Sequence, residues 1–444
     1  DFIDNSAGVD CSDHEVNIKI ALNGEVAAGT LTRPDRDTLL KAMTDDVAEL
    51  VLRDNRLQTQ AISLAETGGA AAVPVFQRLI QTLEGRVGLD RKVEGLPGDD
   101  ILGQRAMAGE GLTRPELAVV MAYAKMAAYD VLVTSEVVDD PLLEADLIAA
   151  FPTAMQVKHR NAILGHRLRR ELVATKLANE LINRAGLSAP FELAEELGAG
   201  IADIARAFIA ARQLFGFAGL WQTIDTAAVP ATAANALHRA TQGVLRAQMA
   251  DLVRLGGGRS ATALVAAIAP GLKALGNNIE KLVKAEVRGQ LDRSAAELAA
   301  AGAPAELART IVHVEALDGA VGIALLAAER RLDVAATARA YTMLGETAGL
   351  DWARGAAAAM NPSDPWERLL TAALVRDFEQ IRLDLLRHVV PEASNPVQVL
   401  ALWLEAHATR VARIAASIAR ARDSGTVSAA MLAHIAGQAR AALT

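Results

Sequence analysis

The densest chemistry in this chain of 444 residues lies at its start, in DFIDNSAGVDCSDHEVNIKI. Asn5, Gly8, Cys11, Ser12 and His14 stand there among the carboxylates Asp10, Asp13 and Glu15. A metal reading of DCSDHE fails on spacing. Adjacent side chains point in different directions, and no second histidine stands one helical turn along. Ser12 and Glu15 instead read as Ser-x-x-Glu, a capping box in which the hydroxyl and the carboxylate satisfy the first N–H groups of a helix. A helix start is also a seat for a carboxylate or phosphate, because free N–H groups and the positive dipole end converge on it. Asn5 lies on the approach and can hydrogen-bond a planar carboxamide in both directions, and Gly8 lets a ligand lie against the backbone. An anionic substrate beside a cofactor suits this arrangement.

The elements that would position these residues read as helices. In VNIKIAL, Val16, Ile18, Ile20 and Leu22 alternate as in a strand, yet Val16 and Ile20 are also one helical turn apart, so periodicity leaves both open. Thr32-Arg33-Pro34-Asp35 is a helix start, followed by one long helix to Gly68-Gly69. Glycine and charge are dense from about 85 to 111, and residues 69–111 are expected to form a loop-rich connector. The start signal recurs at Thr113-Arg114-Pro115-Glu116. HRLRRELVATKLANELINRAG carries an apolar stripe ending at Gly186, with Arg167 to Glu171 and Lys176 to Glu180 spaced for pairing along a solvated face. Residues 397–422 show a last helical stripe. Gly256-Gly257-Gly258 lacks the Lys-Ser/Thr ending of a phosphate loop and reads as a helix-to-helix turn. Trp221, Trp352, Trp366 and Trp403 read as core or interface anchors. The fold class expected is mainly α, and no fixed internal period points to a helical-repeat scaffold.

Composition narrows the function. A net charge of -8 gives no basic field for phosphates, and with aromatics at 3% there is little to stack on bases, so nucleic acid is not an expected partner. Cys11 is the only cysteine, which excludes an internal disulfide and a Cys-based zinc site; no metal is expected. No uninterrupted apolar run approaches the length of a bilayer span, and no signal sequence opens the chain, so no membrane partner and a cytoplasmic setting are expected.

Asn5-Ser6-Ala7-Gly8-Val9, followed by Ser12 and Glu15, resembles the Asn-Ala-Gly-Gly-Val, Ser, Glu segment of glutamate dehydrogenases. The resemblance to the long-chain bacterial NAD-specific branch continues through LRDNRLQTQAISLAE, LDRKVEGLP, GLTRPELAVVMAYAKM and HRLRRELVATKLANELINRAG, covering about the first half closely. It implies oxidative deamination of L-glutamate to 2-oxoglutarate and ammonium with NAD as cofactor. It places Asn5 at the nicotinamide, Gly8 beneath the cofactor and Ser12 on the distal carboxylate of glutamate. It further implies a C-terminal remnant of a Rossmann-type dinucleotide-binding domain within residues 1–68, a helical domain over 112–444, and a homo-oligomer. The family's catalytic lysine and aspartate and its Gly-rich turn lie upstream of the matched motif. The chain is therefore expected to be a C-terminal fragment with no catalytic residue of its own, inactive without the N-terminal part. The alternative is a helical module for oligomerisation or regulation without catalysis.

Overall fold

The computed structural model describes residues 2–278, 285–360, 362 and 364–443, with side chains described from Gly8 onward except at 285–287, 365 and 443. Among the described residues the regular structure is helical, with no strand. The chain divides into two compact units, Asp1–Thr262 with Ala301–Ala303, and Ala263–Ala300 with Pro304–Thr444.

The first unit begins with α1 (Phe2–Ala27), α2 (Arg33–Ala42), α3 (Thr44–Glu66), α4 (Gly69–Val87), α5 (Asp99–Met107) and α6 (Arg114–Thr134). Two 3₁₀ turns lead to the short α7 (Glu144–Ala149), α8 (Thr153–Lys158) and α9 (Arg160–Leu164). It continues with α10 (Arg169–Ala185), α11 (Ala189–Leu197), α12 (Ile201–Leu214), α13 (Phe217–Thr226) and α14 (Ala231–Gly256).

The opening segment is a single helix, which settles the strand-or-helix ambiguity of VNIKIAL. The buried residues Ile18, Ala21 and Leu22 fall three and four positions apart, the period of one helical face. Helix also replaces the expected capping box. Because α1 already runs from Phe2, Ser12 is an interior residue whose hydroxyl donates to the Gly8 carbonyl at 3.2 Å, and Glu15 pairs with Lys19.

The helix expected from Thr32 to Gly68 is two helices. Thr32 Oγ1 accepts from the Asp35 N–H at 3.2 Å and starts α2. At Met43 the backbone leaves helical geometry as its side chain turns into the core, 1% exposed, and the acids Asp45 and Asp46 begin α3. The stretch read as a connector holds α4 and α5, with irregular backbone mainly between them. Its end packs tightly: a Cβ on Gly111 would stand 2.9 Å from backbone atoms of Gly69, so only glycine fits.

The hub is α6, against which α3, α4, α10 and α12 pack. Glu116 accepts the Thr113 N–H at 2.7 Å, the reach-back expected of a capping box, and also holds Arg105 at 2.8 and 2.9 Å. By length and composition α6 is apolar enough to cross a bilayer, contrary to the sequence reading. That reading counted uninterrupted runs, and Lys125 interrupts this one. A helix covered by several neighbours is apolar nearly all round, which gives the same composition.

The second unit contains the remainder of α15 (Ala261–Gly276), then α16 (Ala285–Ala300), α17 (Ala305–Glu315), α18 (Ala320–Arg330), α19 (Val334–Ala348) and α20 (Leu350–Ala358). It closes with α21 (Pro365–Val389), α22 (Pro396–Ala406), α23 (Ala408–Asp423) and α24 (Ala429–Leu443). Helix α21 packs on α20 and α24, burying Phe378, Ile381, Leu385 and Leu386. The expected last stripe is split at His407 into α22 and α23. The triple glycine ends α14 with Gly257 left-handed, the turn that was expected. Trp221 is a core residue at 2% exposure, whereas Trp366, at 77%, is not.

Candidate functional site

Helix α1 has two chemically different faces. Positions 5, 8, 12 and 16 fall three or four residues apart and so share one stripe. Gly8, Val9, Ser12 and Val16 are exposed there; the side chain of Asn5 lies outside the described residues. A Cβ on Gly8 would meet nothing within 4 Å, so packing within this chain does not require glycine at that position. Cys11 is exposed as well.

On the inward face, Asp10, His14 and Asn17 meet α3 and α10 around a partly open cavity of about 110 Å³, lined also by Phe151, Leu172, Asp13, Asp54 and Lys176. Lys176 Nζ lies 3.1 Å from Asp54 Oδ2. Lys125 approaches from α6 and interacts with Asp54 and Asp10. The electrostatics follow from burial. Desolvation pushes the Lys125 ammonium down to about 8, against the pull of Asp54 and Asp10. Burial, then the neighbouring Asp54, raises the Asp10 carboxyl. Burial, then Lys176, lowers the His14 imidazole below its ordinary value. A lysine so placed can gain or lose a proton near neutral pH.

Thus the structure keeps Gly8 and Ser12 together on an outer stripe, while Asp10 and His14 from the same motif turn inward. Sequence reasoning missed Asp54, Lys125 and Lys176. A lone lysine inside the apolar run AVVMAYAKMAAYD was the available signal. The expected pairing of Lys176 with Glu180 does not form: Lys176 goes to Asp54, and Glu180 goes to Arg212, which also holds Asp146. Nor is Arg167 paired with Glu171 among the described ion pairs; Arg169 and Arg170 reach Asp139 instead.

Two further buried polar knots are structural. Arg184 bonds both oxygens of Asp225, at 3.2 and 2.5 Å, under the Trp221 ring, and His238 Nε2 lies 3.2 Å from the same carboxylate. In the second unit, Arg354 joins Glu379 at 2.5 Å and also Asp318, and Arg382 joins Asp351 at 2.5 Å over the Tyr341 ring.

Comparison with known proteins places these features in context. Residues 1–65 match the family described as bacterial NAD-glutamate dehydrogenase, catalytic domain, and residues 109–440 match glutamate dehydrogenase, C-terminal. The NAD-specific glutamate dehydrogenase of Pseudomonas aeruginosa is 35% identical, over 98% of this chain and 27% of its own length. That of Halomonas elongata is 34% identical, over 92% and 26%, and that of Mycobacterium tuberculosis 33%, over 99% and 27%. This chain therefore spans about a quarter of the length of the curated relatives it matches. With a family match across most of its helices, the chain belongs to the glutamate dehydrogenase C-terminal family.

Proposed function

We propose that the chain is part of an NAD-dependent glutamate dehydrogenase, which converts L-glutamate and NAD to 2-oxoglutarate, ammonium and NADH. The observation that carries this reading is the catalytic-domain match over residues 1–65, followed in the same chain by the C-terminal match over residues 109–440. In it, α1 belongs to the end of a Rossmann-type dinucleotide-binding domain. NAD supplies the hydride acceptor when bound.

The residues present suit one wall of such a pocket. Gly8 carries no side chain where none is needed internally, and its face is open, so a flat ring can lie against the backbone. Asn5, one turn before it, offers a carboxamide both a donor and an acceptor. Ser12 presents a hydroxyl whose hydrogen now goes to the Gly8 carbonyl at 3.2 Å and can turn to the distal carboxylate of glutamate. No residue of this chain is assigned the acid/base work at the amine, so the isolated chain is inactive in this reading. The helices of 112–444 then serve assembly or regulation.

In the full-length enzyme, Ser12→Ala should raise the KM for glutamate by about tenfold, as expected for one lost hydrogen bond to a charged group, and leave the KM for NAD little changed. An unchanged KM for glutamate removes Ser12 from the site. Turnover of glutamate by the 444-residue chain alone would overturn the division of labour.

A further inference from the structure

Three histidines join α1 to the segment Ala150–Leu168, and one of them has its proton assigned by geometry. His166, 5% exposed, has Nδ1 3.1 Å from the Leu168 N–H, which can only donate. Nδ1 is therefore the unprotonated acceptor, and Nε2, 3.1 Å from the Asn17 carbonyl on α1, carries the proton and donates it. The ring is neutral as docked. From α1 itself, His14 lines one cavity with Ala150 and Phe151. His159, 3% exposed, places Nδ1 on the Glu25 carboxylate of α1.

We propose that His14 and His166 form a proton-operated clasp that holds α1 on the Ala150–Leu168 segment and, through α1, sets the position of the Gly8 and Ser12 face. A second proton on His166 would sit on Nδ1, directly against the Leu168 N–H, and would break that bond. The charge would be buried beside the Phe151 ring, with Glu171 as the facing carboxylate. His14 faces Asp13 and Asp54, whose charges favour its cation, and Lys176, which opposes it, with Asp10 lining the same cavity. Burial is the largest influence on both rings and lowers both below the ordinary histidine value.

The sign follows from linkage. At His14 and His166 a docked α1 binds fewer protons than a released one between the lowered values and about 6.5, while the raised Asp10 carboxyl acts the other way at the acid end. Docking is therefore complete above that window and weakens as pH falls through it. The consequence for glutamate and NAD rests on the proposed function; the clasp itself does not.

The test uses the 444-residue chain and hydrogen exchange of residues 2–27 between about pH 7 and about pH 5, corrected for intrinsic rates. In the native chain α1 should lose about tenfold in protection relative to α6 over this range. A polarity-sensitive label on the lone Cys11 should report the same reversible step. In the double variant His14→Gln/His166→Gln, which keeps hydrogen-bonding groups that do not titrate, α1 should show no step relative to α6. Equal steps in both chains, or none in the native chain, would overturn the clasp. Should the variant fail to fold, histidine NMR of the native chain decides: His166 must show the Nε2–H tautomer and titrate below the ordinary value, and any other result ends the proposal. Because none of these readouts uses glutamate, a failed clasp is distinct from a failed enzymatic assignment.

Discussion

Lys176 on α10 and Asp54 on α3 meet at 3.1 Å, and Lys125 on α6 completes the group without taking over the pair. Three helices are thereby joined at one half-buried cluster of charge. The lowered value of about 8 at Lys125 follows from its burial.

This cluster predicts a lysine that titrates apart from the others. NMR of ¹³C-labelled lysine side chains should show one ammonium losing its proton near pH 8, and Lys125→Met should remove that signal. The folded value lies below the ordinary 10.5, so this group makes the fold more stable as pH rises from about 8 to about 10.5. The stability of the native chain should accordingly gain on that of Lys125→Met across this range.

Asp225 predicts a dependence of the same sign at the acid end of the scale. Burial acts to raise its value, but hydrogen bonds from His238 and Arg184 outweigh it and leave the carboxyl at about 2. A depressed carboxyl stabilises the fold above its ordinary range and loses this effect as pH falls through the folded value. Asp225→Asn should destabilise by about 2 kcal/mol near neutral pH, because it also strands the buried Arg184. Denaturant unfolding should show the gap to the native chain shrinking from about pH 4 toward about pH 2.

Two glycines of the second unit should respond with opposite signs. A Cβ on Gly345 would run into the Asp351 carboxylate and the Arg382 guanidinium, so Gly345→Ala should cost about 2–4 kcal/mol. Gly355, inside α20, has nothing within 4 Å of a built Cβ, and Gly355→Ala should stabilise by about 0.5–1 kcal/mol. Thermal melts of the two variants shifting the same way would contradict this packing.

At the start of α6, Glu116 satisfies both the Thr113 N–H and the Arg105 guanidinium. Glu116→Ala should cost about 2–3 kcal/mol, more than the ~1 kcal/mol of an ordinary cap, since a charged partner is also left without its carboxylate. Glu116→Gln, which can still accept the N–H, should recover part of that loss. Equal losses in both variants would mean that the cap contributes nothing.

The helical class, the starts at Thr32 and Thr113, the stop at Gly186, the turn at Gly257 and the family are all legible along the chain. These are local matters: a cap, a proline in the first turn or a left-handed glycine acts within a few residues, and an apolar stripe needs only its own period. The tertiary structure decided the rest. Ser12 looks like a cap in sequence because nothing local forbids a helix starting there, but burial of Ile18, Ala21 and Leu22 accompanies a helix that runs back through it to Phe2. Lys176 could have paired along its own helix at Glu180; Asp54, 122 residues away in sequence, lies nearer in space. Partner choice among charges depends on which helices meet and how far each charge is withdrawn from water, and neither quantity is written within one turn of chain.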